Sequence, residues 1–323
     1  MRFILLILFI LTSINAHSFK DLYDRDVNIK QNKKIVCIGP GTLRLITYLN
    51  LEKNLVGIEK RELKFNKNST YTQYLDKEFI KSLPIIGQGG PGKMPNLEAL
   101  ITLKPDIIFA TFLSKEQINL IESKTKIPVV ALSYGQTLKN EKKLDFIKNS
   151  LNLISKIMNK EKRFQELETF MQKEEKNISK LKVDDKLMYV GGVAFKGIQG
   201  ITSTDSDYPA FELLNIKNHV LKNHKGHAFI NIETLLTYNP EIIFFDKLSK
   251  KIINEEIEKN KVIFNNINAF KNKKVYWLNP SNFYNINVEN IYINSYLIAS
   301  KFGYDNNMEN IKTRVHKAFF TKE

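Results

Sequence analysis

The chain has a single cysteine, Cys37, one tryptophan and five histidines in 323 residues. One thiol cannot form an internal disulfide, and none stands just behind the leader to carry a lipid anchor. No apolar run approaches 18 residues, so no membrane-spanning helix is predicted. Several catalytic signatures are missing as well: no Gly-x-Ser-x-Gly elbow, no phosphate loop ending Gly-Lys-Ser/Thr, no His-Glu-x-x-His and no cysteine pair. Gly39 and Gly41 start a Gly-x-Gly, but Arg44 occupies the third glycine position. Ser203 with Asp205 lacks a histidine at a recognisable spacing, so a turn before Tyr208 is the plainer reading.

Acidic charge is in short supply. Lys and Arg number 49 against 34 Asp and Glu, a formal net charge of +15. The lysines are scattered and no aromatic-basic signature accompanies them, which argues against nucleic acid and leaves a solvated surface or an anionic ligand or partner. At 43% hydrophobic and 26% charged, the composition is that of a folded globular protein.

A repeated stretch organises the chain. Asn96-Leu-Glu-Ala-Leu-Ile-Thr-Leu-Lys-Pro-Asp-Ile-Ile-Phe109 returns as Asn231-Ile-Glu-Thr-Leu-Leu-Thr-Tyr-Asn-Pro-Glu-Ile-Ile-Phe244, with eight of fourteen positions identical. Each copy reads as an Asn-capped helix, stopped by Pro105 or Pro240 and followed by a short buried strand. A spacing of 135 residues (231 minus 96) is too long for a solenoid unit and implies two related lobes.

Residues 1–16, one Arg followed by the apolar run Phe3 to Leu11 and a small final Ala16, read as a secretory signal whose cleavage leaves His17 first. Residues 17–32 form a polar lead-in, 33–140 an alternating β/α lobe, 141–182 a helical connector and 183–323 a second lobe. Strands are predicted over Lys34 to Ile38, Leu55 to Ile58, Ile107 to Ala110 and Val129 to Leu132, then over Leu187 to Val190 and Lys274 to Leu278. In the connector the apolar phase breaks near Asn159-Lys160, predicting two helices, the second of about 20 residues and roughly 30 Å long. The stretches Gly87 to Lys93 and Gly191 to Gly200 are glycine-rich loops, and Thr202 to Ala228 is read as loops around a short helix. Ligands of such open sheets sit beyond the carboxyl ends of the strands, so the loops that follow the strands are candidate sites.

His219, His224 and His227 fall within nine residues, and neutral imidazoles suit soft or borderline metals, so His224 and His227 are weak metal candidates. Their spacing implies no single rigid face. Tyrosine oxygens are hard donors and their rings can stack on a flat ligand. Glu98 and Glu233 occupy equivalent positions in the repeats, where the helix dipole favours a carboxylate and where a two-fold partner carrying arginines could pair with both.

The sequence resembles the binding proteins of bacterial ABC importers for ferric siderophores, haem and vitamin B12. The resemblance covers roughly Lys33 to Phe320 and rests on Lys34-Ile-Val-Cys-Ile-Gly, on both repeats and on the helical connector. It implies an α/β fold of two Rossmann-like lobes bridged by a long α-helix, the class III solute-binding architecture. A ligand cleft between the lobes and small closure follow, with Glu98 and Glu233 engaging permease arginines. The function implied is that of a monomeric periplasmic binding protein, not an enzyme. It has no intrinsic cofactor and delivers an iron complex to an inner-membrane permease dimer with its cytoplasmic ATPase. Receptors for nickel, cobalt or corrinoid chelates, and a secreted two-lobed metal-dependent enzyme, are the alternatives. Candidate ligand contacts are Arg44 and Lys196 for anionic groups, Tyr134, Tyr208 and Tyr284 for metal or stacking, Thr42, Ser203 and Thr204 for hydroxyl hydrogen bonds, and Phe112 for apolar contact.

Overall fold

The computed structural model describes residues 17–134, 142–282, 284–304 and 307–321. The expected signal at 1–16 lies outside the described residues, as does the residue expected to open the connector, Glu141.

Two separate parallel sheets account for the two lobes. The first is ordered Ile85–Gly87, Leu55–Glu59, Ile35–Ile38, Ile107–Ala110, Val129–Ala131. The second has three strands, Val275–Leu278, Ile242–Asp246 and Met188–Gly191, with Ile242–Asp246 at its centre. Period-2 alternation puts each strand's two faces into different cores. Ile35 and Cys37 join a large cluster that runs through both lobes, while Val36 and Ile38 join one confined to the first lobe. In the second lobe Ile242 and Phe244 face the shared cluster, and Ile243 and Phe245 a local one.

The two repeats fold alike. Asn96 Oδ1 accepts from the Ala99 amide at 3.1 Å and Asn231 Oδ1 from the Thr234 amide at 2.6 Å, which starts helices Leu97–Leu103 and Ile232–Tyr238. Lys104 and Asn239, at φ 47° and 45°, end them in the left-handed region just before the prolines. Equivalent residues Leu100 and Leu235 are fully buried, and each contributes about 1.5–3 kcal/mol of apolar burial.

The connector is helix Lys143–Met158 followed by Glu161–Ile178, with Asn159 at φ 55° making the break between them. The second helix is 18 residues long. It is no lone rod, because it packs into a helical layer shared by both lobes. Buried Arg163 donates to the carbonyls of Tyr48, Ala318 and Phe319, tying helix Thr42–Tyr48 to helix Met308–Phe320. Glu174 accepts from Tyr296 and Arg314, both at 2.8 Å, and Glu175 from Tyr292 at 3.0 Å, which fixes the layer against helix Val288–Ala299.

Two readings need correction. The lead-in 17–32 contains a hairpin, His17–Lys20 with Asp26–Ile29, whose Val27 and Ile29 enter the core. Its turn covers the edge strand Val129–Ala131: Leu22 donates to the Ala131 carbonyl, the Ala131 amide donates to Asp21, and Arg25 reaches the Val129 carbonyl. An otherwise open sheet edge is thereby paired. The stretch Thr202 to Ala228, read as loops, contains a second hairpin, Ser203–Asp205 with His227–Phe229. Three-residue strands are too short to show a period, which is why the sequence did not reveal it.

Candidate functional site

A cleft of about 680 Å³ opens between the lobes, and all eight parallel strands among the described residues supply it from the loops beyond their carboxyl ends. From the first sheet come Pro40, Arg61, Pro91, Phe112 and Tyr134, each from the loop after a different strand. The second sheet contributes Val193 to Ile198 after Met188–Gly191, Leu248 after Ile242–Asp246, and Ser281, Asn282 and Tyr284 after Val275–Leu278. The wall is mainly apolar and aromatic. Arg61, Lys143 and Lys196 bring cations to it, whereas Asp205 is the one acid among its described residues. Asp205 already pairs with Lys143 at 2.5 Å, so the cleft is left electropositive.

Five of the nine expected contacts line this cleft: Phe112, Tyr134, Lys196, Tyr208 and Tyr284. The other four lie behind it. Thr42 is fully buried, donating to the Ile38 carbonyl at 2.8 Å and sharing a hydrogen bond with Thr111. Arg44 is fully buried too, bonded to the Tyr134 hydroxyl at 3.2 Å, the Ser69 hydroxyl and the Ile286 carbonyl. Ser203 donates to the Val193 carbonyl at 2.6 Å, and Thr204 is buried beside it. An expectation drawn from position in a loop cannot tell a residue facing the gap from one facing the core.

The three cleft tyrosines present rings more than hydroxyls. Tyr134 donates to the Ile286 carbonyl at 2.7 Å, and the Tyr208 hydroxyl meets Asn294 Nδ2 at 3.3 Å. Tyr284 donates to Glu59 Oε2 at 3.3 Å, with its ring beneath the Arg61 guanidinium at 4.4 Å. Burial pushes all three phenols up, which keeps them neutral and makes them poor metal donors without rearrangement.

The histidines separate. His227 lines the cleft, His224 is exposed and not part of its lining, and the His219 ring lies against Phe211. His227 Nε2 meets Ser203 Oγ at 2.7 Å, and its ring stacks on Phe195 at 4.2 Å with Phe229 edge-on at 4.8 Å. Burial holds its pKa below the ordinary value, so the imidazole is neutral near pH 7. Among the described residues, no group of three or more His, Cys, Asp or Glu side chains is placed to hold a metal ion.

Arg61, Lys143 and Phe195 were missed by the sequence reading. Arg61 follows strand Leu55–Glu59 and could have been found by applying the loop-after-strand rule to every strand. Nothing in the sequence signalled Lys143, which enters the cleft only because the connector helix starts beside Asp205.

Glu98 and Glu233 are exposed at matching places, the second residue of each repeat helix. Thr102 and Thr237 donate to their carbonyls at 2.9 and 2.8 Å, so even this side-chain detail repeats.

Comparison with known proteins points the same way. The molybdate-binding protein MolA of Haemophilus influenzae is 24% identical over 302 residues, 81% of this chain and 80% of MolA. Its molybdate-bound structure superposes with a TM-score of 0.72 at 20% identity, covering 95% of this chain and 98% of that one. The Fe(3+)-citrate-binding protein YfmC of Bacillus subtilis is 30% identical over 193 residues, 58% of each chain. Helicobacter pylori CeuE with Ni(II) bound gives a TM-score of 0.66 at 22% identity, covering 95% of this chain and 97% of CeuE. A family model described as periplasmic binding protein matches residues 35–281, most of the chain, and with two parallel sheets facing each other across a cleft the protein belongs to that family of solute-binding proteins.

Proposed function

We propose that the cleft captures an anionic iron complex and that the protein delivers it to an inner-membrane ABC permease dimer driven by a cytoplasmic ATPase. The observation that carries this reading is the match of volume to lining. About 680 Å³ bounded by aromatic rings, by Arg61 and Lys196, and by the Lys143–Asp205 pair suits an organic chelate with negative arms, in the size range of drug-like ligands. The described residues offer no group of three or more His, Cys, Asp or Glu side chains placed to hold a metal ion, in keeping with a metal that arrives already wrapped by its chelator. The similarity to a ferric-citrate binder supports the same choice. Phe195 and His227 would stack on flat groups, and Arg61 and Lys196 would receive carboxylate or catecholate oxygens. Glu98 and Glu233 would meet permease arginines.

A bare tetrahedral oxyanion is the second reading, favoured by the similarity to MolA along most of the chain. Such an ion would fill only a small part of the cleft. The two readings separate when the mature protein is purified from iron-replete periplasm, its absorption spectrum recorded and its ligand identified by mass spectrometry. A visible band and the release of iron with an organic chelator are expected. Colourless protein that releases only molybdate, or a chelate of nickel or cobalt, overturns the iron reading.

A further inference from the structure

Behind the cleft wall of the first lobe lies a group of charges for which solute capture alone gives no reason. Glu59, the last residue of its strand, is 3% exposed. Its two oxygens accept from the Gly39 amide at 3.2 Å, and Oε2 also accepts from the Tyr284 hydroxyl at 3.3 Å. The fit is close, for a Cβ added at Gly89 would lie 2.8 Å from Glu59 Oε2. Tyr284 comes from the other half of the chain and holds φ 49°, a conformation that costs a non-glycine residue energy and is kept only where surroundings enforce it. On the cleft side of the same ring sits Arg61, exposed, with no ion pair or side-chain hydrogen bond among the described residues.

We propose that Arg61 is the anion anchor of the cleft, and that seating an anionic group on it is coupled to proton uptake by the buried carboxyls behind Tyr284. This inference rests on the cleft being the solute site, not on the solute being iron. Arg61 stabilises the ionised forms of both Glu59 and Glu62, so it is shared between these acids and any bound anion. When an anion neutralises it, the carboxyls lose that support and bind protons more readily.

The groups facing Glu59 define the pH window. They are Cys37 on the neighbouring strand, the Gly39 amide, Arg61 and Glu62 on the following turn, and Tyr284; Arg44 and Tyr71 stand around Glu62. Burial, then Glu62, pushes Glu59 up to about 8, with Gly39, Tyr284 and Arg61 pulling the other way. Burial pushes Glu62 up to about 7, opposed by Tyr71, Arg44 and Arg61. Cys37, Tyr71 and Tyr284 are all raised and stay neutral. His227, across the cleft, is held below its ordinary value and titrates on the acid side. The carboxyls therefore change charge between about pH 6 and 9. Anion affinity should fall as pH rises through that range, because a larger share of the protein must then take up a proton to bind.

The test is calorimetric titration of the mature protein with ferric citrate, ferric 2,3-dihydroxybenzoate and molybdate, at pH 8 in buffers of different ionisation enthalpy. The anion that binds best should do so with uptake of a fraction of a proton, and its affinity should decline from pH 6 to 9. Arg61→Gln should weaken it at least 10-fold and cancel the proton uptake. Glu59→Gln should abolish the Glu59 share of the uptake, and Tyr284→Phe provides a milder disturbance of the same contact should that variant fold poorly. Binding without proton uptake, or unaffected by Arg61→Gln, overturns the inference and leaves the iron reading standing. Binding of molybdate alone, with both signatures, does the reverse. Failure of all three anions to bind overturns both.

Discussion

The two lobes share a scaffold and differ in where they keep their charge. The first buries Arg44, Glu59 and Glu62 among Tyr71, Tyr134 and Tyr284 directly behind the cleft. In the second, the comparable strand-end acid is Asp246, whose oxygens are taken up by Ser281 and the Leu248 amide, and its cleft face carries Phe195, Ile198 and His227 together with Lys196. Duplication thus preserved the elements that make a lobe and left their loops to diverge, one wall backed by buried charge and the other faced by a stacked Phe195–His227 pair beside Lys196. A ligand with charged arms and flat rings can use both.

The largest test of this asymmetry is Arg44→Met. The substitution removes a buried cation that spans the lobes through the Ile286 carbonyl, and it leaves Glu289 and Glu62 without its field. Breaking a buried charge network of this kind costs about 3–5 kcal/mol, read as a shift in the urea midpoint. A loss under about 1 kcal/mol would mean that the first lobe's buried charge is incidental and the contrast with the second lobe superficial.

The caps test the likeness instead. Asn96→Ala and Asn231→Ala each remove one side-chain bond to the third helical amide and should each cost about 1 kcal/mol. Lying in separate lobes with no shared partners, their costs should add in the double variant. A clear inequality between the two in thermal unfolding would show that the copies no longer do the same job.

The smallest effect on stability belongs to Glu98→Ala and Glu233→Ala. Both carboxylates are exposed, so each change should stay within about 0.5 kcal/mol. Ligand titrations should be unchanged while uptake by cells falls with either variant. Normal uptake by the double variant would remove the proposed docking role from both positions.

Much of the fold was legible because it is written in short-range signals. An Asn cap, a proline stop and a run of Ile-Ile-Phe identify a helix and its buried strand wherever they occur, and two copies identify two lobes. The hairpins at 17–29 and 203–229 carried no such signal. Their strands are three or four residues long and their pairing depends on partners far along the chain or on a sheet edge that must be covered. The site was legible only as a set of loops. Thr42 and Arg44 sit in the first turn of the helix that opens the first lobe, just where a ligand contact was expected, yet they point into the core. Arg61, three residues past Ile58 in a polar stretch, is a cation that does face the gap.

By itself the sequence determined the α/β class, the duplication, the break in the connector at Asn159 and the paired exposed glutamates, because each follows from residues within a few positions of one another. Tertiary structure alone decided which cations meet the cleft and which are buried, and that Tyr284 from the last third of the chain would lie between Arg61 and Glu59. The reason is physical: a side chain's role in a gap between lobes depends on which way its backbone faces once both sheets are in place, and on the burial that shifts its charge. Neither quantity exists until distant segments have packed.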